Sequence, residues 1–275
     1  MNELPAVGSV HRGDCLDVLR TWRGGFVDLC YADPPHPRRP QGTLSGRDSG
    51  PAVSPTGDPW RWDESAAECV EAIQRDLDNP AHDAVLGLQI ALGDCGIMAF
   101  LAYMAARLVE IRRVLKPTGS VYLHCGLAAG HYLKVLMDAV FGPGNFRNEI
   151  VWCDDRPYRG NRRQFATAHE AILWYARGPL WTFHGNAESR SQGPSSRSLS
   201  WAFVPSLPER FGDDPGRGSG KPLELLERII EVGSSPGDLV LDPFCGDRNT
   251  RAVASRLGRG WIGIGDPLRS GVASG

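Results

Sequence analysis

No two cysteines in this sequence are spaced Cys-x-x-Cys. The seven thiols, at positions 15, 30, 69, 95, 125, 153 and 245, are scattered, which argues against a zinc ribbon or a disulfide framework and fits a reduced, cytoplasmic setting with no metal site. A run of about 18 uninterrupted apolar residues is also missing, as expected of a chain that does not cross a membrane. The opening residues MNELPAVGSVHRGD lack a basic stretch followed by an apolar one, so export is not expected either. Nor is there an excess of positive charge. The formal net charge is −2, so no global basic field advertises nucleic acid, and any such contact must come from a local patch.

What is present is enough apolar material for one sizeable core: 275 residues, 41% hydrophobic. A single α/β domain, 1–275, with an insertion is expected. The 33 glycines and 21 prolines imply many tight loops. Strand-like runs fall at 26–31, 120–124, 149–152, 171–175, 239–241 and 261–264, with helical periodicity between most of them, the alternation of a mostly parallel sheet. The clearest helix covers 97–115, with Met98, Leu101, Ala105, Leu108, Ile111 and Leu115 on one stripe and "KPTG" ending it. Others cover 128–141, stopped by "GPG", and 223–232, following Lys221-Pro222. Two stretches break the pattern. Residues 37–59 are dense in Gly, Pro and Ser and read as a long mobile loop. Residues 154–220 read as an insertion, with Arg156, Arg159, Arg162 and Arg163 near its start.

The string "DLCYADPPHPR" carries the first chemical signal. Its apolar run is short enough and apolar enough to be a strand buried on both faces, so Asp33 stands just past a strand's carboxyl end, where open parallel sheets place ligands and catalytic groups. Pro34 and Pro35 fix φ and remove two backbone donors, leaving a stiff loop rich in acceptors. A second signal, "PGDLVLDPFCGDRNTRAVASRLGRGWIGIGD", reads as strand, glycine loop, helix and a second strand ending near an acid. That is the plan of a nucleotide-type cofactor site.

Together with "GDCLDVL", "RVLKPTGSVYLHC", "HYLKVLMDAVFGPGNFRNEIVW", "HEAILWYA", "KPLELLERII" and "DLVLDPFCG", these segments resemble, in order and over nearly the whole chain, the amino DNA methyltransferases of the β arrangement. The resemblance implies a seven-stranded, doubly wound, Rossmann-like sheet. It implies S-adenosylmethionine as cofactor and transfer of its methyl group to the exocyclic amine of adenine, less readily cytosine, in double-stranded DNA with the target base flipped out, in a restriction–modification setting. Asp33, Pro34, Pro35 and His36 would form the catalytic element: the Asp33 carboxylate and the Pro34 carbonyl hold the amine, and position 36 stacks on the base. Asp14, Lys221, Asp242, Phe244, Gly246, Asp247, Thr250 and Asp266 would line the cofactor, and the four arginines would begin a target-recognition segment. For Asp14 a loop acid, for Lys221 a solubilising helix end and for the arginines a solvated loop stay open as bland alternatives. The family often forms homodimers.

The chain departs from the family pattern at specific positions. His36 replaces an aromatic, Gly126 replaces the acid usual after "YLHC", and Cys153 replaces a basic residue after "IVW". The cofactor loop reads "FCGDRNT", with Asp247 and Arg248 where small residues are usual, and the acid after "WIGI" is displaced to Asp266. These changes gather at ligand-facing positions while the core stripes stay intact. Two classes of function therefore stay open: a methyltransferase, weakened or not, and a silent relative that keeps the fold and binds DNA or another partner. His124-Cys125 ends a strand and reads either as a site or, more readily, as a partly buried structural pair, and His169-Glu170 reads as a structural turn contact.

Overall fold

The structure is a computed structural model, described here for residues 3–37, 60–153, 169–185, 200–201, 221–246 and 249–265. Its centre is a mixed sheet of eight strands: β1 (Ser9–Arg12), β2 (Val27–Ala32), β3 (Leu115–Cys125), β4 (Phe146–Cys153), β5 (His169–Ala176), β6 (Ser200–Trp201), β7 (Leu239–Asp242) and β8 (Gly260–Gly265). Their order is β1-β8-β7-β2-β3-β5-β4-β6. Seven have four residues or more, and the eighth is the two-residue β6 at one edge. Only β5 runs antiparallel to its neighbours, β3 and β4. The central run is parallel.

Alternation along the strands divides the interior into two layers. Cys30, Ala32, Val121, Leu123, Leu173, Tyr175 and Leu241 face one core. It is covered by α1 (Cys15–Thr21), α2 (Glu64–Arg75), α3 (His82–Leu92), α4 (Gly96–Val114) and α5 (Gly130–Phe141). Leu29, Tyr31, Tyr122, Ile172, Trp174 and Val240 face the other. That face is covered by α6 (Leu223–Gly233) and α7 (Asn249–Arg256). The result is a helix–sheet–helix sandwich, as read from the alternation of elements. α4 is buried along its length by Met98, Leu101, Ala105, Leu108 and Ile111. α1 and α2 start on carboxylate caps: Asp14 accepts from the Leu16 amide at 2.8 Å and Asp63 from the Ala66 amide at 2.9 Å, each cap contributing about 1 kcal/mol.

Polar contacts as well as apolar ones set the register of the middle strands. Asp28, on β2, takes Lys116 Nζ from β3 at 2.7 Å and the Leu239 amide from β7 at 2.9 Å. Gly119 completes the fit, because a Cβ there would lie 2.9 Å from the Val27 carbonyl. The "KPTG" stretch does end the helix, but the chain goes directly from Val114 into β3 with no intervening loop. Among the described residues, no helix is long and apolar enough to cross a membrane.

One consequence of the strand order positions everything that follows. From β2 the chain moves one way, to β3, and from β7 it moves the other way, to β8. The carboxyl ends of β2 and β7 therefore flank a topological switch point, the place where open α/β sheets leave a crevice.

Candidate active site

Asp33 to Pro37 leave the tip of β2 and Pro243 to Gly246 leave the tip of β7. The two strands pair in parallel with Cys30 level with Leu241, a register that carried forward sets Asp33 level with Phe244. The catalytic and cofactor strings, more than 200 residues apart in sequence, thus open onto one crevice.

The loop after β2 is anchored at three points. Trp60 donates its indole N–H to the Pro35 carbonyl at 2.9 Å and is wedged edge-on against Phe100 and Tyr103, with ring centroids 5.0 and 4.8 Å away. Pro34 and Pro37 are buried. His36 is held at both ring nitrogens: the Gly126 amide donates to Nδ1 at 3.2 Å, and Nε2 lies 3.3 Å from Asp33 Oδ1. The second oxygen of Asp33 lies 3.8 Å from Lys221 Nζ. Burial opposes a charge on Asp33, but His124, the His36 hydrogen bond and Lys221 outweigh it and hold the carboxyl well below its usual range. Asp33 is an ionised acceptor and a poor base.

Behind Asp33 lies a polar chain that the sequence did not reveal. Lys221 Nζ contacts Glu170 Oε2 at 2.7 Å and lies 5.6 Å from the Trp152 ring. The same Glu170 oxygen accepts from His124 Nε2, and His124 Nδ1 meets the Tyr31 hydroxyl at 3.2 Å. Burial raises the Glu170 pKa, but the His124 bond and Lys221 bring it down to about 2. Burial and the Lys221 charge lower that of His124. Glu170 is therefore no turn contact: it sits on β5 and ties Lys221 to the fully buried His124. The strand register accounts for it. His124 pairs with Ile172 across β3 and β5, so Glu170, two residues along on the same face, is its diagonal neighbour.

The other sequence candidates divide. Asp242 is buried and folds the β7 tip by accepting from the Phe244 amide at 3.1 Å. Phe244 packs partly on the core, and Gly246 is exposed beyond it. Thr250 is buried in the first turn of α7, where Asn249 donates to the Lys221 carbonyl at 3.1 Å. Asp14 lies at the tip of β1, two strands from β7. It caps α1 and meets Arg107 Nη2 at 2.5 Å, on the rim of an open depression of about 380 Å³ that also takes in Gly13 and Trp22. A smaller cleft of about 190 Å³ borders Gly126, Gly130 and Ala171. Asp247, Arg248, Asp266, Arg156, Arg159, Arg162 and Arg163, the 38–59 part of the long loop and residues 154–168, 186–199 and 202–220 lie outside the described residues, while His169–Ala176, within the stretch read as an insertion, are β5 of the central sheet.

Comparison with known proteins places this geometry. The family described as DNA methylase matches residues 27–266. The type II methyltransferase M.HinfI of Haemophilus influenzae is 28% identical over 269 residues, covering 94% of this chain and 64% of its own length. M.BglII of Bacillus subtilis is 29% identical over 192 residues, covering 60% of this chain and 52% of its own length. The chain thus spans between about half and two thirds of these curated relatives. Among solved structures, the cytosine-N4-specific PvuII DNA methyltransferase superposes with a TM-score of 0.61 at 15% identity, covering 95% of this chain and 82% of that one. The M1.HpyAVI–SAM complex gives 0.54 at 17% identity, covering 94% and 93%. These last two likenesses concern the fold alone.

Proposed function

The chain belongs to the DNA methylase family, and from that premise we propose that it transfers a methyl group from S-adenosylmethionine to the exocyclic amine of adenine in duplex DNA. The observation that carries this reading is the convergence of an ionised, oriented Asp33 with the β7 tip at a topological switch point. The described part of the β7 loop fits the cofactor. Asp242 shapes the turn, the chain emerges from the core to the exposed Gly246, and Cys245 packs down on β8, where a Cβ at Gly263 would lie 2.9 Å from its sulfur. Asp242, Phe244, Gly246 and Thr250 would hold the cofactor from this side, and Asp247 and Asp266 would join them. When bound, S-adenosylmethionine supplies an electrophilic methyl on a sulfonium.

The protein's task is to make a poor nucleophile better. The lone pair of an aromatic amine is delocalised into its ring. Two acceptors aimed at the amine hydrogens, the Asp33 carboxylate and the Pro34 carbonyl, draw the nitrogen toward tetrahedral geometry and orient it for attack. No strong base is needed, because the nitrogen becomes far more acidic once it carries the methyl group and then gives up its extra proton readily. A depressed Asp33 pKa suits this role: the group stays an acceptor at every working pH. The base must leave the duplex to reach these groups, and Arg156, Arg159, Arg162 and Arg163 are proposed to hold the flanking phosphates. Asp rather than Ser at position 33 supports adenine over cytosine.

The test is transfer of tritiated methyl from S-adenosylmethionine to duplex DNA, followed by hydrolysis and chromatography of the bases. Label in N6-methyladenine is expected. Asp33→Ala is expected to lower the rate by at least about 100-fold with cofactor affinity by calorimetry unchanged. Label in N4-methylcytosine would overturn the base assignment, and bound cofactor with no label in any DNA would leave the silent, DNA-binding reading in its place.

A further inference from the structure

The two departures from the family pattern nearest the catalytic element, His36 and Gly126, are in direct contact although 90 residues separate them in sequence. A Cβ built on Gly126 would lie 2.9 Å from His36 Cγ and 3.0 Å from its Cβ. The first is a distance that real Cβ atoms do not sustain and the second is tighter than most of them show, and both atoms belong to the stiff root of the imidazole. Gly126 is not among the positive-φ glycines, so its backbone conformation is one that any residue adopts. What requires glycine there is the ring. The dependence is mutual, because the amide of Gly126 is also a hydrogen-bond partner of that ring.

The hydrogen bonds settle which nitrogen carries the proton. A backbone amide only donates, so Nδ1 is an acceptor and bears no hydrogen; the neutral ring's proton is on Nε2, facing Asp33 Oδ1 at 3.3 Å. We infer that His36 and Gly126 are a matched pair in which the Gly126 amide fixes the tautomer and plane of His36, and His36 in turn orients the Asp33 carboxylate for the incoming amine. This inference rests on the methyl-transfer reading of the same crevice. It gives His36 a role different from the stacking that the resemblance implies: it is a positioning residue acting through Asp33. The two substitutions are then one coupled exchange and not two separate losses. Asp33 keeps capacity for the substrate, since a carboxylate accepts about four hydrogen bonds and His36 uses one of them.

Two measurements test this, one of them independent of activity. Long-range ¹H–¹⁵N spectra of the histidine rings, with His36 assigned by its disappearance in His36→Ala, are expected to show the Nε2–H tautomer in the wild type and its loss in Gly126→Ala. A mixture, or the Nδ1–H form, in the wild type overturns the proposal whether or not the protein methylates DNA. In methyl transfer, Gly126→Ala and His36→Ala are each expected to lower kcat by about tenfold, the order of one hydrogen bond to a charged group, with KM for the methyl donor unchanged. The double variant is expected to be no worse than either single one. Additive losses overturn the coupling. Should Gly126→Ala not fold, Gly126→Ala combined with His36→Gly, which removes both of the ring atoms that the new Cβ would meet, must fold, and its failure would count against the pair.

Discussion

Replacing Lys221 by Met isolates the electrostatics of the crevice, because the shape of the side chain is nearly kept and only the charge is lost. Its ammonium lies 2.7 Å from Glu170 and 3.8 Å from Asp33. At an effective dielectric of about 20, a pair at the longer distance attracts by about 4 kcal/mol before desolvation is counted. Removing one partner of a fully buried pair costs about 3–5 kcal/mol. Here the side chains of Asp33 and Glu170 keep 28% and 32% exposure, and Glu170 keeps its bond to His124. A loss of about 1–3 kcal/mol is therefore expected.

The pH dependence gives the sign. Glu170 is lowered from an ordinary 4.5 to about 2, so its stabilising contribution is complete above about pH 4.5 and fades as pH falls toward 2. Asp33, also lowered, acts in the same direction. The gap between wild type and Lys221→Met should be full at pH 7 and narrower at pH 3, as read from urea unfolding followed by tryptophan fluorescence. Equal stabilities at pH 7, or a gap that does not change with pH, would refute the idea that Lys221 holds the two carboxylates ionised.

The sequence made the scaffold legible where burial writes a strong local pattern. β2 was expected at 26–31 and lies at Val27–Ala32, and the long helix expected at 97–115 lies at Gly96–Val114. Both are nearly continuous apolar signals buried in the middle of the sandwich. β1 was not visible because four residues at a sheet edge, alternately half-buried and exposed, carry little hydrophobic signal. α2 buries only Ala66, Val70 and Ile73 and was missed for the same reason. In the crevice, Asp33, Pro34 and Pro35 were legible because their chemistry is contained in one short string. Glu170 and His124 were not, because their roles come from antiparallel pairing of β3 with β5, and no local string encodes a partner 46 residues away. For Lys221 the string gives a place near the cofactor, and the structure adds what no string shows, an ammonium shared between Asp33 and Glu170. Most instructive is position 126. Read alone, glycine there is a missing acid; beside His36 it is the space that the imidazole occupies.

Two further substitutions separate structural from chemical roles. Asp14→Ala removes the cap of α1 and strands the guanidinium of Arg107, which is only 6% exposed, so a loss of about 3–4 kcal/mol is expected in chemical denaturation; Asp14→Asn should keep the cap and lose less. A loss below about 1 kcal/mol for the alanine variant would mean that the carboxylate is not structural. Trp60→Phe tests how the Pro-Pro loop is held: it keeps an aromatic ring against Phe100 and Tyr103 but removes the N–H that reaches the Pro35 carbonyl. Losing one hydrogen bond of this kind should cost about 1 kcal/mol of stability. The loop carries both acceptors proposed for the target amine, so kcat should fall by a larger factor than the stability change explains, while the affinity for S-adenosylmethionine, which we propose is held from the β7 side, stays constant. A matching loss of cofactor affinity would show that the two strand tips are not independent supports, and unchanged kcat would show that the anchor at Pro35 does not position the acceptors.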